Sequence, residues 1–344
     1  MELEHNLTSH RILVTGGAGF IGSEVTRQLC EAGAFVVVVD NLVNGKRENL
    51  NGIADDKYLF SKIDIRDTDG LSHLFQDIDM VYHLACLGLR HSIHSPYENH
   101  LVNADATLQL LKLCRQNNVH RFVYISTSEV YGTARWVPMT EEHPTYPMTV
   151  YGAAKLAGES YTRAFYTTYE YPTVVVRPFN TYGPNCHHEG DSGEVIPRFM
   201  LRCMAGQPMV VFGDGTQTRD FTHVTDTARS IILAGLAENA VGETINLGSG
   251  QELTVNELAR MIEQTVKSHG STITYDAPRP GDVLRLYADI TKARDLLGYT
   301  PSTLLSDGLA TLMQWYIKSG KSPVELLEEE DLRNWEMPEG ADLG

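Results

Sequence analysis

Long apolar runs are missing from this chain. The densest, residues 34–39, is far shorter than the roughly 20 apolar residues of a membrane-spanning helix. The first ten residues hold no apolar core of signal-peptide length, so no secretory leader is expected. Basic residues are few: 28 Lys and Arg stand against 44 Asp and Glu, a formal net charge of -16. That balance argues against nonspecific binding to nucleic acid or to an anionic membrane surface. A few well-placed arginines can still hold a small anion. Cysteine is scarce too: Cys30, Cys86, Cys114, Cys186 and Cys203 are odd in number and form no CxxC pair. A disulfide scaffold is excluded, and a reduced, cytoplasmic setting is expected. No internal repeat is present.

What remains is an ordinary globular composition, 42% hydrophobic and 21% charged, on 344 residues. The chain is long enough for one large α/β domain or a large and a small one.

Two motifs dominate it. The first is Gly16-Gly17-Ala18-Gly19-Phe20-Ile21-Gly22, which follows the apolar run Ile12-Leu13-Val14 and opens an amphipathic stretch. Strand, glycine turn and helix in that order set a pyrophosphate on a helix N-terminus. The second is Tyr151-Gly152-Ala153-Ala154-Lys155, which puts a phenol and an ammonium on one helix face. A cation beside a tyrosine favours the phenolate, so Lys155 is expected to lower the Tyr151 pKa and yield a base. A dinucleotide site plus an activated tyrosine predicts hydride chemistry on an alcohol.

The first half alternates short β-branched runs with helical patterns, as βαβ units of a parallel sheet do. Strands are predicted at 12–15, 35–39, 58–61, 80–84, 122–126 and 173–177. Helices are predicted at 21–32, 101–117 and 151–169. After Pro178 the rhythm changes, and Gly, Pro and polar residues crowd 180–197, a candidate substrate loop. Helices at 196–205, 225–237 and 255–269 and strands at 209–212 and 272–275 then predict a smaller lobe over the sheet's carboxyl edge. The predicted fold is a Rossmann-type, doubly wound parallel α/β sheet with a smaller C-terminal α/β lobe. Residues 1–178 form the dinucleotide-binding domain, with part of 224–250 interleaved, and 179–330 form the lobe. Residues 323–344 are expected as a peripheral helix with a frayed end, acidic from 331.

Asp40 ends the second strand, where a carboxylate accepts both hydroxyls of an adenosine ribose and repels a 2′-phosphate. NAD is therefore favoured over NADP. Asp64-Ile65 can read an adenine edge through a backbone amide and a carboxylate, or be a plain loop. Ser126-Thr127-Ser128-Glu129 follows a strand and offers a hydroxyl for the oxygen that Tyr151 deprotonates. Cys186-His187-His188-Glu189 invites a metal reading, but contiguous ligands rarely wrap one ion and none is expected. The loop Arg90-His91-Ser92-Ile93-His94 either lines a substrate pocket or is merely polar.

With these residues in view, the chain resembles the extended short-chain dehydrogenase/reductase superfamily: the NAD-dependent nucleotide-sugar epimerases and dehydratases, UDP-glucose/UDP-galactose 4-epimerases among them. The resemblance runs over about residues 11–316. Its pieces are 15–22, Asp40-Asn41-Leu42, His83-Leu84-Ala85, Asn103, 126–132, Tyr151/Lys155, Arg177 through Pro184, Gly213-Asp214-Gly215, Arg219-Asp220-Phe221 and Arg279-Pro280-Gly281-Asp282. It implies that Gly16, Gly19, Phe20, Ile21, Gly22, Asp40, Asn41, Asp64, Ile65, Leu84, Ala85 and Lys155 hold NAD. It implies that Ser128, Asn180, Arg219 and Arg279 hold a nucleotide sugar, the arginines clamping its pyrophosphate. Tyr151 would take the C4 hydroxyl proton as hydride leaves, with Thr127 sharing that oxygen and Lys155 on the nicotinamide ribose.

Glu129 bears on the fate of the 4-keto sugar. Dehydratases of the superfamily place a glutamate here as C5 base, and decarboxylases also carry Thr-Ser-Glu, whereas many 4-epimerases have small residues. One dehydratase pattern has Asp where this chain has Ser128. Asn185 replaces the arginine expected for a sugar carboxylate, which demotes uronates unless Arg198 or His187–His188 stands in. The remainder favours a 4-epimerase, UDP-hexose by default, with a 4,6-dehydratase or a UDP-glucuronate-type decarboxylase or epimerase as alternatives. Leu286 matches the position that gates N-acetyl substrates. A homodimer through helices 101–117 and 151–169 is expected, since Leu108, Leu110, Leu111 and Leu113 exceed one buried stripe. The competing class is an idle NAD-binding regulator, against which an intact Thr127/Tyr151/Lys155 set argues.

Overall fold

Six β-branched runs form the strands β1 (Arg11–Thr15), β2 (Phe35–Val39), β3 (Tyr58–Ser61), β4 (Met80–His83), β5 (Arg121–Ile125) and β6 (Thr173–Pro178). The computed structural model describes residues 6–267, 272–278 and 283–336. A seventh strand, Thr244–Leu247, adds beyond β6, giving the order Thr244–Leu247, β6, β5, β4, β1, β2, β3 with every pairing parallel. Sequence reading missed this strand because it is short and follows directly on Gly242 and Glu243.

Both faces of the sheet are covered, which is why Phe35-Val36-Val37-Val38-Val39 shows no polar alternation. Ile12, Val14, Val36 and Val38 pack with Ile231 and Ile232 of the helix Val224–Leu236. Leu13, Val37 and Val39 point the other way, onto Leu110, Leu111 and Phe165. Leu110 and Leu111 are thus core residues, and only the half-buried Leu108 and Leu113 remain from the expected leucine surplus.

Register sets Thr15 opposite both Val39 and His83, so β1, β2 and β4 end together. Strand order reverses at β1, and the crevice at such a reversal takes ligands in open parallel sheets. The helix predicted at 101–117 opens as a wide π-turn, Leu101–Asp105, before the α-helix Ala106–Gln116. Within that turn Asn103 receives the Leu87 amide at 3.0 Å and donates to the Leu87 carbonyl at 2.9 Å, pinning the loop after β4.

Over the carboxyl edge, Asn180–Tyr182 pairs with Phe221–His223, and Met209–Phe212 pairs with Ile273–Asp276. The helices Val195–Met204, Val255–Val266 and Leu305–Lys318 close a third core with Phe199, Leu258, Ile262, Leu309 and Leu312. Thr254 and Glu257 form a reciprocal capping box that starts the second of these. The last two residues of the predicted 255–269 helix lie outside the described residues. Among the described residues no helix is long and apolar enough to cross a membrane.

The expected acidic tail is docked over its described residues, up to Glu336. After the helix Pro323–Leu327, Glu330 pairs with Arg202 at 2.7 Å and Arg333 with Asp276 at 3.0 Å. These two ion pairs with the lobe, one from a tail carboxylate and one from a tail arginine, keep the segment docked as far as Trp335, whose ring lies edge-on to Phe212 at 4.7 Å.

Candidate active site

A cavity of about 900 Å³ opens between the sheet edge and the lobe. Its floor is the glycine turn. Gly16 sits at φ 68°, and a Cβ there would lie 2.7 Å from the Ala85 amide nitrogen. A Cβ on Gly22 would collide with the Gly16 carbonyl. Only glycine lets β1 and the helix Phe20–Glu31 meet this closely. Gly19 caps that helix without a side-chain bond, and its first turn holds no acid, so its N–H groups are open to an anion.

Asp40 is fixed beside the turn by the amides of Ala18 at 3.0 Å and Leu42 at 2.8 Å. Burial raises its carboxyl, and these two amides oppose the rise. Leu84 and Ala85 are tied to Thr15, the first through its carbonyl and the second through its hydroxyl. A turn that admits a diphosphate, with a carboxylate at the end of β2, fits an NAD adenosine half. Asp64 accepts from Asn41, from the Arg66 amide and from two Arg66 guanidinium nitrogens at 2.9 and 2.8 Å. Arg66 holds that carboxyl well below the usual range. Four bonds from Asn41 and Arg66 thus engage the acceptor sites of this carboxylate.

The reacting end lies at β5. The Thr127 hydroxyl accepts the Glu129 amide at 3.2 Å and acts on the Tyr151 phenol to favour its ionised form. Burial drives the Tyr151 pKa well above its ordinary value; Cys86, Glu129 and Glu194 push it further, and Thr127 opposes. The expected depression by Lys155 is not found. The ammonium instead donates to the Ile125 carbonyl at 2.5 Å and sits 4.5 Å from the Tyr124 ring centre, and burial lowers its own pKa.

Beneath this helix, Glu159 accepts from Ser126 at 2.5 Å, Arg163 at 2.9 Å and twice from Arg177, at 2.8 and 2.6 Å. Arg177 reaches Tyr131, whose phenol donates to Asn246 on the seventh strand at 2.7 Å. Sequence reading passed over Glu159, although it lies on the Tyr151/Lys155 face one turn further on.

Ser128, Glu129, Asn180 and Arg219 all line the cavity. The Asn180 side-chain oxygen is buried without a hydrogen-bond partner, and Arg219 donates to the carbonyls of Thr218 and Val283 at 2.8 and 2.7 Å. Arg279 lies outside the described residues. Arg90, His91 and His187 border the cavity, whereas Arg198 turns away to the Asp331 carbonyl. Leu286 is 1% exposed and packs with Tyr131, Met139 and Phe179, because an apolar side chain there finds a core. It is not among the residues that line the cavity. Among the described residues no His, Cys, Asp and Glu group is placed to hold a metal.

Among the cavity residues with no role in the sequence reading are Cys86, Glu194 and Trp335. Glu194 lines the cavity, where desolvation raises its carboxyl to about 7 and His187 opposes the rise. No local motif marks any of the three.

The family model described as GDP-mannose 4,6 dehydratase matches residues 13–312. The chain belongs to the extended short-chain dehydrogenase/reductase family of NAD-dependent nucleotide-sugar epimerases and dehydratases. Within that family it is similar to a UDP-glucose 4-epimerase of Mycolicibacterium smegmatis, 34% identical over 89% of this chain and 98% of the relative. Among solved structures it is similar to UDP-glucose 4-epimerase of Thermotoga maritima, solved with UDP-glucose. The TM-score is 0.85 at 34% identity, covering 90% of this chain and 100% of the other. It is also similar to the dTDP-glucose 4,6-dehydratase of Streptomyces venezuelae, solved with NAD bound. There the TM-score is 0.83 at 35% identity, covering 90% and 97%. The doubly wound fold read from the motifs is the family fold.

Proposed function

We propose that this chain is an NAD-dependent 4-epimerase of a nucleotide-linked hexose, with UDP as the nucleotide. Gly16, Gly19, Phe20, Ile21 and Gly22 would hold the NAD pyrophosphate, Asp40 and Asn41 its adenosine ribose, and Lys155 its nicotinamide ribose. Leu84, Ala85 and the backbone of Asp64 and Ile65 complete that wall. When bound, NAD supplies a reversible hydride acceptor facing C4 of the sugar. Tyr151 takes the C4 hydroxyl proton and later returns it, while Thr127 holds the same oxygen. Asn180 and Arg219, with Arg279, grip the substrate pyrophosphate, where fixed cations are needed in an acidic protein.

Epimerisation is supported by the likeness to UDP-glucose 4-epimerases, with an open cavity beside it. A 4-keto sugar must turn over before hydride returns to its other face. In the loop after β4, a Cβ added to Gly88 would meet nothing within 4 Å, and Gly88 lines the cavity. Incubation with a panel of nucleotide sugars tests the reading: a 4-epimer of unchanged mass supports it, and a product lighter by water sinks it.

A second reading, 4,6-dehydration, is favoured by Glu129 and Glu194. Both act electrostatically on Tyr151, and the raised Glu194 carboxyl offers a proton donor where Ser128 cannot.

Three smaller proposals accompany this. The lobe boundary is placed at 178/179, with the segment around the seventh strand returned to the cofactor domain. Free thiols throughout support a cytoplasmic setting, and a homodimer through the helices Ala106–Gln116 and Val150–Tyr169 is supported by exposed Tyr166 and Tyr169. Light scattering that gives only the 38.3 kDa monomer at micromolar concentration would refute the dimer.

A further inference from the structure

We infer that Trp335 is a specificity residue that walls the nucleobase end of the cavity. The inference rests on the nucleotide-sugar reading above and deepens it.

Trp335 lies beyond the last residue matched by the family model, yet it lines the same cavity as Tyr151. Its placement is built rather than incidental. Glu330 takes two bonds from Arg202, at 3.2 and 2.7 Å, and the Asp331 carbonyl accepts from Arg198. The Gly190 amide donates to the Glu329 carbonyl at 2.9 Å, and the buried Asn334 donates back to the Gly190 carbonyl at 3.3 Å. The segment is therefore stitched to the substrate loop and to the helix Val195–Met204, and it delivers a half-buried indole to the cavity wall.

The surroundings name the ligand class. Trp335 meets Phe212 edge-on at 4.7 Å, and both border the cavity with Val210, Arg219 and Val283. A diphosphate held at Arg219 with its sugar towards Tyr151 extends its nucleoside the other way, into this apolar and aromatic corner. A planar base is the part of a nucleotide sugar that gains from an indole face.

The test is calorimetric titration of the full-length protein with UDP, dTDP, CDP and GDP, and with ribose 5-diphosphate, which has no base. Wild type, Trp335→Ala and Trp335→Phe are compared, with NAD affinity measured on each as the control for folding. In Trp335→Ala the best-bound nucleotide should weaken roughly tenfold, the scale of losing one aromatic stacked on a base. Ribose 5-diphosphate and NAD should bind as before, and Trp335→Phe should fall between. An unchanged nucleotide affinity overturns the inference. So does an equal loss for ribose 5-diphosphate or NAD, which would mark Trp335 as a packing residue of the lobe. If wild type binds none of the four nucleotides, the nucleotide-sugar reading itself fails and takes this role with it.

Discussion

Glu159 holds Arg177 through two hydrogen bonds, 2.8 and 2.6 Å long, with the two side chains 0% and 4% exposed. The pair joins the helix that carries Tyr151 and Lys155 to β6. Through Tyr131 and Asn246 it also reaches the seventh strand. It is the mechanical footing of the reacting end.

Removing one member should show this. Arg177→Met leaves the buried carboxylate with only the partly exposed Arg163 as its cation, a loss of up to about 3–5 kcal/mol. Burial alone would raise the Glu159 carboxyl, but Arg177, Ser126 and Arg163 outweigh it and hold the pKa below the ordinary value. A folded pKa below the unfolded one stabilises above the unfolded pKa and is lost as pH falls. The wild-type advantage in urea unfolding should therefore narrow as pH drops towards about 4, the ordinary carboxylate range. A gap that stays constant with pH would mean that the charge pair is not its source.

Tyr151→Phe should lower turnover by about 10²- to 10⁴-fold while NAD affinity holds, because the proton acceptor is lost and the ring still packs. The phenol is pushed up by burial, so kcat/KM should climb as pH rises through the alkaline range. Comparable turnover in the variant would remove the phenol from the chemistry.

Asp40→Ala should weaken NAD about tenfold, the loss of one charge-assisted contact near 1.4 kcal/mol. It should also narrow the preference for NAD over NADP, since nothing then repels a 2′-phosphate. Fluorescence titration of both cofactors measures it. An unchanged ratio would place Asp40 away from the ribose.

The strands and main helices were legible because buried β-branched runs and glycine turns obey local rules, and six strands lie within a residue or so of their expected bounds. The glycine turn, Asp40 and the Thr127–Tyr151–Lys155 set were legible for the same reason: each is a spacing. What escaped depends on partners distant in sequence. Asp64 read as a free carboxylate until Arg66 folded back onto it. Lys155 read as the tyrosine's neighbour, but the Ile125 carbonyl and the Tyr124 ring take its charge. Trp335 gains its place through partners such as Arg202, Arg198 and Gly190, all more than a hundred residues away.

Glu129 separates the two readings of the reaction. Its charge helps to raise the Tyr151 pKa, so neutralising it lowers that pKa. In Glu129→Gln the alkaline limb of the kcat/KM profile should move to lower pH if Glu129 is only a neighbour of the base. That is the epimerase outcome: turnover survives, and a reaction run in deuterated water puts no deuterium on carbon, because C5 keeps its hydrogen. A dehydratase behaves oppositely. Its glutamate takes the C5 proton itself, so Glu129→Gln nearly abolishes product, and the wild-type product carries deuterium at C5 or C6 and is lighter by one water. Mass spectrometry and proton NMR of the wild-type product, read beside the variant's pH profile, decide between them. Carbon-bound deuterium would overturn the 4-epimerase proposal even if some activity survived in Glu129→Gln, since hydride moving between C4 and the cofactor never exchanges with solvent.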